Sequence, residues 1–184
     1  MGITTGEASG HSTGSLVLLG GWMPAAIFAG VPDLGWDDVG VNWLLAGYNV
    51  DLNNKQIVIV GEGRLVGAPL ARMWRNSGYD VTAVSEPTEE LASIVQAADV
   101  VVTATGSAGL ITSDMLRPET VVVDAGTSSE GGKIVGDVAL DVHERHDLTI
   151  TPEKGGVGPL TICALFDNVI RAARATIPPD QVSS

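Results

Sequence analysis

The sequence predicts an α/β protein: a Rossmann-like, doubly wound parallel sheet with a short irregular N-terminal extension. Three observations carry this reading. From residue 57 onward, short apolar runs rich in β-branched residues alternate with helical patterns. The first run, Ile57-Val58-Ile59-Val60, is apolar at every position, as a strand buried on both faces requires. It passes directly into Gly61, Gly63 and Gly67 and then a helix, and further runs also end in segments of Gly, Ser and Thr.

Each element follows from local chemistry. Residues 1 to 35 are rich in Gly, Ser and Thr without clear periodicity and read as an irregular arm. Residues 37–48 suit a short helix, with Val39, Trp43 and Leu44 near one face and Asp37 or Asp38 as cap. A polar connection over 49–56 leads to the strand at 57–60. A helix over 68–77 stops at Gly78. The spacing then predicts a strand over 80–84 and a helix over 89–97, with Thr88 as N-cap and acids in its first turn. Next come a strand over 99–104, a helical turn over 113–116 and a strand over 120–124. Residues 126–129 and 133–137 form a hairpin that turns at 130–132. A short strand over 148–150 precedes a long helix over 159–176. Three segments result: an arm and linker helix (1–48), a nucleotide-binding domain (49–178) and a tail (179–184).

Composition narrows the function. At 184 residues and 45% hydrophobic content the chain can bury a sizeable core. The net charge of −12 repels nucleic acid and anionic membrane, so neither is expected as a partner. Cys163 is alone, which excludes a disulfide framework and a cysteine metal site, and its apolar surroundings suggest a packed thiol. The three histidines lack metal-ligand spacing, and no metal is expected; His143 and His146 lie among charges and read as a solvated face. No apolar run reaches the ~18 residues of a membrane span, and the early apolar stretch lacks a basic leader region. A cytoplasmic setting is expected.

In a doubly wound sheet ligands bind beyond the carboxyl ends of the strands, at the point where strand order reverses. Four segments lie there: 61–67, 85–88, 105–109 and 126–129. Glycines permit sharp turns and close backbone approach, and a following helix directs free N–H groups and a positive dipole end at the turn. A dinucleotide phosphate suits this combination. The candidate cofactor-binding residues are Gly61, Glu62, Gly63, Arg64, Val66, Ser85, Glu86, Thr105, Gly106 and Thr127. Glu62 and Glu86 fall where the adenosine ribose is held, and a 2′-phosphate would meet carboxylates there, with Arg64 the nearest cation. NAD is therefore expected over NADP. A second dense motif, Gly155-Gly156-Val157-Gly158-Pro159-Leu160-Thr161, opens the last helix. Pro159 suits an early helical position, and three glycines exceed what a cap needs, which suggests a planar ring packed on that backbone.

The two motifs together resemble the methylenetetrahydrofolate dehydrogenase/cyclohydrolase family, whose nucleotide-binding domain carries a Gly-Arg-Ser-x-x-Val-Gly-x-Pro loop and later Pro-Gly-Gly-Val-Gly-Pro-x-Thr. The resemblance spans residues 42–177 and includes Tyr48-Asn49-Val50-Asp51-Leu52, Val123-Asp124-Ala125-Gly126 and Gly132-Lys133-Ile134-Val135-Gly136-Asp137-Val138. The extra residue between Gly63 and Gly67, relative to G-x-G-x-x-G, belongs to the family loop. The resemblance implies a cofactor on Gly61, Glu62 and Gly63, with Glu86 and Thr127 lining its site. It also implies that Gly156, Val157, Gly158, Pro159 and Thr161 border the nicotinamide and the folate. Glu62 replaces the family's usual arginine, and Lys154 replaces the proline of the second motif.

The resemblance also implies a catalytic half with a Tyr-x-x-x-Lys motif. Lysine occurs here only at 55, 133 and 154, inside or after the matching region, and Gly10-His11-Ser12-Thr13-Gly14-Ser15-Leu16 only weakly resembles the end of that half. The expectation is a family member with most of its first domain gone, able to position rings for hydride transfer but without cyclohydrolase activity. A non-catalytic NAD(H)-binding module, or a subunit that needs a separate catalytic chain, is the competing expectation. The family implies a homodimer; Trp22, Trp36 and Trp43 are candidate contacts, and bare apolar surface is expected near Phe166 and Val169.

Overall fold

The computed structural model describes residues 36–85 and 88–175. The expected arm, with Trp22 and the 10–16 segment, lies outside the described residues, as do Glu86 and the tail. Among the described residues four helices, α1 (Trp36–Gly47), α2 (Gly67–Asn76), α3 (Leu91–Ala97) and α4 (Val157–Ala175), surround a parallel five-stranded sheet. Its strands are β1 (Gln56–Val60), β2 (Asp80–Val84), β3 (Val100–Thr103), β4 (Val121–Asp124) and β7 (Thr149–Ile150), in the order β2-β1-β3-β4-β7. β5 (Ser128–Glu130) and β6 (Lys133–Val135) form the expected antiparallel hairpin, with Ser129 opposite Ile134.

Period-two alternation divides the core. Ile57, Ile59, Val100, Val102 and Val123 point to one face, where they pack with Val41 and Leu45 of α1, Leu70 and Trp74 of α2, and Val157 of α4. Val58, Val60, Val101 and Val122 point to the other, against Leu91 and Val95 of α3 and against Ile111, Val138 and Val142. Each such buried aliphatic side chain stabilises the fold by about 1.5–3 kcal/mol relative to exposure. Two buried faces explain why these strands read as unbroken apolar runs. Trp74 is fully buried, and its indole N–H donates to Asn42 Oδ1 at 3.3 Å, which joins α2 to α1.

Several local expectations change. Helix α1 starts at Trp36, so Asp37 and Asp38 lie within it. Among the residues of α1 whose burial is described, Val41 and Leu45 are the buried hydrophobics, one turn apart, and Leu44 packs partly against the same core, whereas Trp43 is 37% exposed. Thr88 does not cap α3 with its side chain. Its main-chain carbonyl accepts from Leu91 N at 3.0 Å, so Glu89 and Glu90 form a turn ahead of the helix. α4 begins at Val157, two residues early, which puts Gly158 inside its first turn. Cys163 is exposed, because the buried side of α4 carries Val157, Ala164 and Asn168 and Cys163 points away from it. A turn of 3-10 helix at Leu140–Glu144 was not expected; it contains His143, while His146 follows it and is exposed. Phe166 is exposed as expected, but Val169 is half-buried. The apolar stripe on α4 is instead Ile162, Phe166 and Ile170, four residues apart. Among the described residues no helix is long and apolar enough to cross a membrane.

Candidate functional site

The strand order reverses between β1, whose next strand β2 lies on one side, and β3 on the other. Gly61 sits at this point. Its N–H donates to Val84 O at 2.8 Å, and its φ of +98° is one that side chains rarely tolerate. A Cβ there would lie 2.5 Å from Ala104 O and 2.9 Å from Thr105 N, so the first turn rests against the end of β3. At Gly67 a Cβ would fall 1.7 Å from Gly61 O, because α2 starts in contact with the turn that precedes it. Gly63 is different: the nearest atom to its Cβ position is Ala104 O at 4.0 Å. Helix α2 has Val66 at its N-cap with no side-chain cap hydrogen bond, and no acid lies in its first turn. Ala68 N–H donates to Gly63 O at 3.1 Å, Pro69 has no N–H and Leu70 N–H donates to Val66 O at 3.0 Å, so of the first four residues of α2 only Gly67 keeps an N–H for solvent or a ligand.

Glu62 is exposed at the end of β1, and its carboxylate Oε2 accepts a hydrogen bond from the Ser85 hydroxyl at the end of β2. The structure thus joins two of the sequence candidates across adjacent strands. Arg64 is also exposed, and Val66 is half-buried. Thr105 and Gly106 follow β3. The Thr105 hydroxyl donates to Asp137 Oδ2 at 2.9 Å and accepts from Ser107 N at 3.0 Å. A Cβ on Gly106 would come within 3.5 Å of Thr127 O, so the loops after β3 and β4 adjoin.

The second glycine motif connects to the same end of the sheet through β7. Thr151, just after β7, receives the Asp124 N–H on its hydroxyl oxygen at 3.0 Å, and the Cβ position of Gly156 lies 3.4 Å from Thr151 Cβ. Val157 is buried against the core, whereas Gly158 and Pro159 are exposed. The Thr161 hydroxyl donates to Val157 O at 3.3 Å, a bond within the helix. Gly40 of α1 packs against this start, its Cβ position 3.2 Å from Thr161 N.

Two carboxyl groups that were not singled out as candidates organise this end. Asp124 takes N–H groups from Gly126 (3.0 Å), Asp137 (3.2 Å) and Val138 (3.0 Å), and the Thr103 hydroxyl at 3.2 Å. Asp137 is fully buried and accepts from Thr105 N at 2.6 Å. Burial pushes its carboxyl above the ordinary range; the Thr105 bonds oppose that shift, and the Asp124 charge adds to it. In sequence each acid lies close to a glycine, Asp124-Ala125-Gly126 and Gly136-Asp137, but neither pattern by itself marks a buried carboxyl. A separate cavity of about 160 Å³ opens beside Asp51, Lys55, Asp99 and Arg117 at the amino ends of the strands. The ion pair Arg117–Asp99 at 2.5 Å lines it, and none of the candidate residues does.

Comparison with known proteins matches residues 38–177 to the tetrahydrofolate dehydrogenase/cyclohydrolase NAD(P)-binding domain. The bifunctional protein FolD of Methanospirillum hungatei is 42% identical over 135 residues, which is 73% of this chain and 48% of that protein. The crystal structure of the bifunctional FolD methylenetetrahydrofolate dehydrogenase/cyclohydrolase from Campylobacter jejuni superposes with a TM-score of 0.71 at 38% identity, covering 77% of this chain and 50% of that one. The Trypanosoma brucei enzyme, solved with NADP cofactor and an inhibitor, gives a TM-score of 0.71 at 33% identity and covers the same shares of the two chains. The chain spans about half the length of the relatives it matches.

Proposed function

The chain belongs to the tetrahydrofolate dehydrogenase/cyclohydrolase family, and we propose that residues 49–178 are a nicotinamide-dinucleotide-binding unit for hydride transfer from 5,10-methylenetetrahydrofolate. Residues 1–48 would be its arm and linker and 179–184 its tail. The observation that carries this reading is the first glycine turn at the strand-order reversal. There Gly61 and Gly67 are packed against the chain's own backbone while the Cβ position of Gly63 remains open. Backbone without side chains, the Gly67 N–H at the positive end of α2 and the absence of a first-turn carboxylate fit a pyrophosphate. When bound, the nicotinamide supplies the hydride acceptor.

The chain's own residues would divide the work. Gly61, Gly63, Arg64 and Val66 line the first turn, and Thr105, Gly106 and Thr127 border the cofactor from the neighbouring strand ends. Glu62, oriented by Ser85, would accept the adenosine ribose hydroxyls and repel a 2′-phosphate, and Glu86, next to Ser85 in sequence, would add a second carboxylate; NAD is therefore preferred over NADP. Gly156, Val157, Gly158, Pro159 and Thr161 would border the folate. We assign no acid–base group. Lys55, Lys133 and Lys154 are exposed, and Lys55 lies at the opposite end of the sheet. Cyclohydrolysis, which needs proton transfer, is not proposed for this chain. The proposed setting is the cytoplasm.

A second reading, a nucleotide-binding subunit that works with a separate catalytic chain or a second copy of itself, is favoured by the exposed stripe of Ile162, Phe166 and Ile170 on α4. Titration calorimetry with NAD and NADP, followed by an assay for folate-dependent NADH formation, tests both. Binding with turnover supports the dehydrogenase. Binding without turnover leaves the subunit reading, and failure to bind either nucleotide removes both.

A further inference from the structure

Among the described residues Asp137 is the one acid with no exposed surface, and the proposed reaction gives it no role. Its backbone is fixed first. Gly136 O and Asp137 O accept from Gly109 N (3.3 Å) and Ile111 N (3.0 Å), and Val138 forms a parallel bridge with Ile111. Its side chain then sits between two loops of the candidate site. Oδ2 accepts both the N–H (2.6 Å) and the hydroxyl (2.9 Å) of Thr105. On the other side the carboxyl occupies space that a side chain at residue 126 would need: a Cβ on Gly126 would fall 2.0 Å from Asp137 Cγ. Asp124 is arranged reciprocally, with Oδ2 2.0 Å from the Cβ position of Gly136. Each carboxyl fills the gap left by a glycine beside the other.

The consequence reaches the first turn. Thr105 N and Ala104 O are the atoms against which Gly61 rests. The Thr105 hydroxyl has one proton, which goes to Asp137, and its oxygen receives Ser107 N–H, so the 105–107 loop takes its shape from this acceptor. We propose that Asp137 is a positioning residue for the dinucleotide site: through Thr105 it holds the loop after β3 against Gly61, and through Gly126 it sets the distance to the loop carrying Thr127. The proposal rests on the nucleotide-site reading above. Asp137 Oδ1 is buried without a hydrogen-bond partner, so only one oxygen of the carboxyl is used as an acceptor. A carboxamide can supply that oxygen.

The test compares Asp137→Ala, Asp137→Asn and Thr105→Val with the parent chain by titration calorimetry with NAD and NADP, fitting affinity and stoichiometry separately. Asp137→Ala is expected to weaken Kd about tenfold, Asp137→Asn to restore it to within about threefold, and Thr105→Val to lie between them. Hydrogen exchange without nucleotide provides a second measurement: amides 105–107 should exchange faster in Asp137→Ala and near the parent rate in Asp137→Asn. A merely structural carboxyl would lower the binding-competent fraction and leave Kd of that fraction unchanged, which overturns the proposal. So does an Asn variant that fails to restore affinity while its 105–107 amides exchange at the parent rate. If the parent chain binds neither nucleotide, the site reading falls and the proposal with it; if the parent binds and the Ala variant matches it, the proposal alone falls.

Discussion

A methyl group at Gly67 would lie 1.7 Å from a backbone oxygen, whereas one at Gly158 would meet nothing within 4 Å. The first glycine turn is shaped by the chain itself: α2 begins against Gly61, and Gly61 rests on the end of β3. In the second motif Gly155 has a positive φ of +78° but an open Cβ position, and Gly158 stands exposed in the first turn of α4. The two motifs carry the same residue for different reasons. In the first, glycine is a condition of folding at two positions and leaves only Gly63 open. In the second, the fold alone does not account for Gly158, and the space outside it is free for another molecule or another part of a larger assembly.

The largest effect should come from removing the first condition. Gly67→Ala puts Cβ onto Gly61 O, and overpacking against backbone cannot be relieved by a rotamer change. The expected loss is at or above ~3 kcal/mol, seen as a fall in the urea midpoint. Gly61→Ala should follow closely, at about 2–3 kcal/mol, because it combines the clash with Ala104 O and an unfavourable φ. If Gly67→Ala unfolds at the parent midpoint, the contrast between the motifs loses its basis.

Next in size is a change of ligand preference with little change of fold. Glu62 is exposed and its partner Ser85 is exposed, so Glu62→Arg should leave the midpoint nearly unchanged. The ratio of NAD to NADP affinity should move toward NADP by about tenfold or more, about 1.4 kcal/mol. Competition titrations with the two nucleotides measure it. An unmoved ratio would remove Glu62 from the adenosine side of the site.

Asp137→Asn gives a subtler signature, read in pH dependence. The folded-state pKa of Asp137 is raised above its unfolded value by burial and by the Asp124 charge that faces it. The native chain therefore holds this proton more tightly than the unfolded chain. The resulting stability is fully present below the unfolded pKa and is lost as pH rises through the raised folded value. Asparagine has no such proton, so in urea unfolding the variant should gain on the parent over the window in which pH rises from the ordinary carboxylate range through the raised folded value. A constant difference across that window would mean that the carboxyl does not titrate differently on folding.

Much of the fold was legible because strands buried on both faces must be apolar throughout, and glycine must stand where backbones touch. Ile57 to Val60 and the Gly61–Gly67 turn satisfy both conditions. The hairpin was legible from its turn, where Gly131 and Gly132 each adopt positive φ, but Glu130, read as part of the turn, ends β5 opposite Lys133. What the sequence concealed depends on direction within a helix or on contacts distant in the chain. The orientation of α1 was legible only in part: Leu44 packs partly against the core as expected, but Trp43 is as apolar as Val41 and Leu45, and only docking against the sheet and α4 selects between them. Cys163 was misjudged in the same way: its neighbours are apolar, but Ala164 takes the inward position. Asp137 could not be distinguished from a surface acid, since its burial depends on Thr105 and Gly126 reaching it from two other strands.

The smallest stability effect is the one that most sharpens the comparison. Gly158 lies within α4, where an alanine loses less backbone freedom and finds open space, so Gly158→Ala should be neutral or more stable by about 0.5–1 kcal/mol. If the open backbone of the second motif serves only the fold, activity and ligand affinity should follow that small gain. If a planar ring packs there, the added methyl should raise the KM for the folate, or abolish its binding, in a chain that is at least as stable as the parent. Thermal unfolding and folate titration on the same preparation separate the two: lost folate binding with retained stability assigns Gly158 to the ligand. Unchanged binding would leave Gly158 a glycine that neither the backbone conformation nor the folate requires, unlike Gly78, whose positive φ calls for glycine.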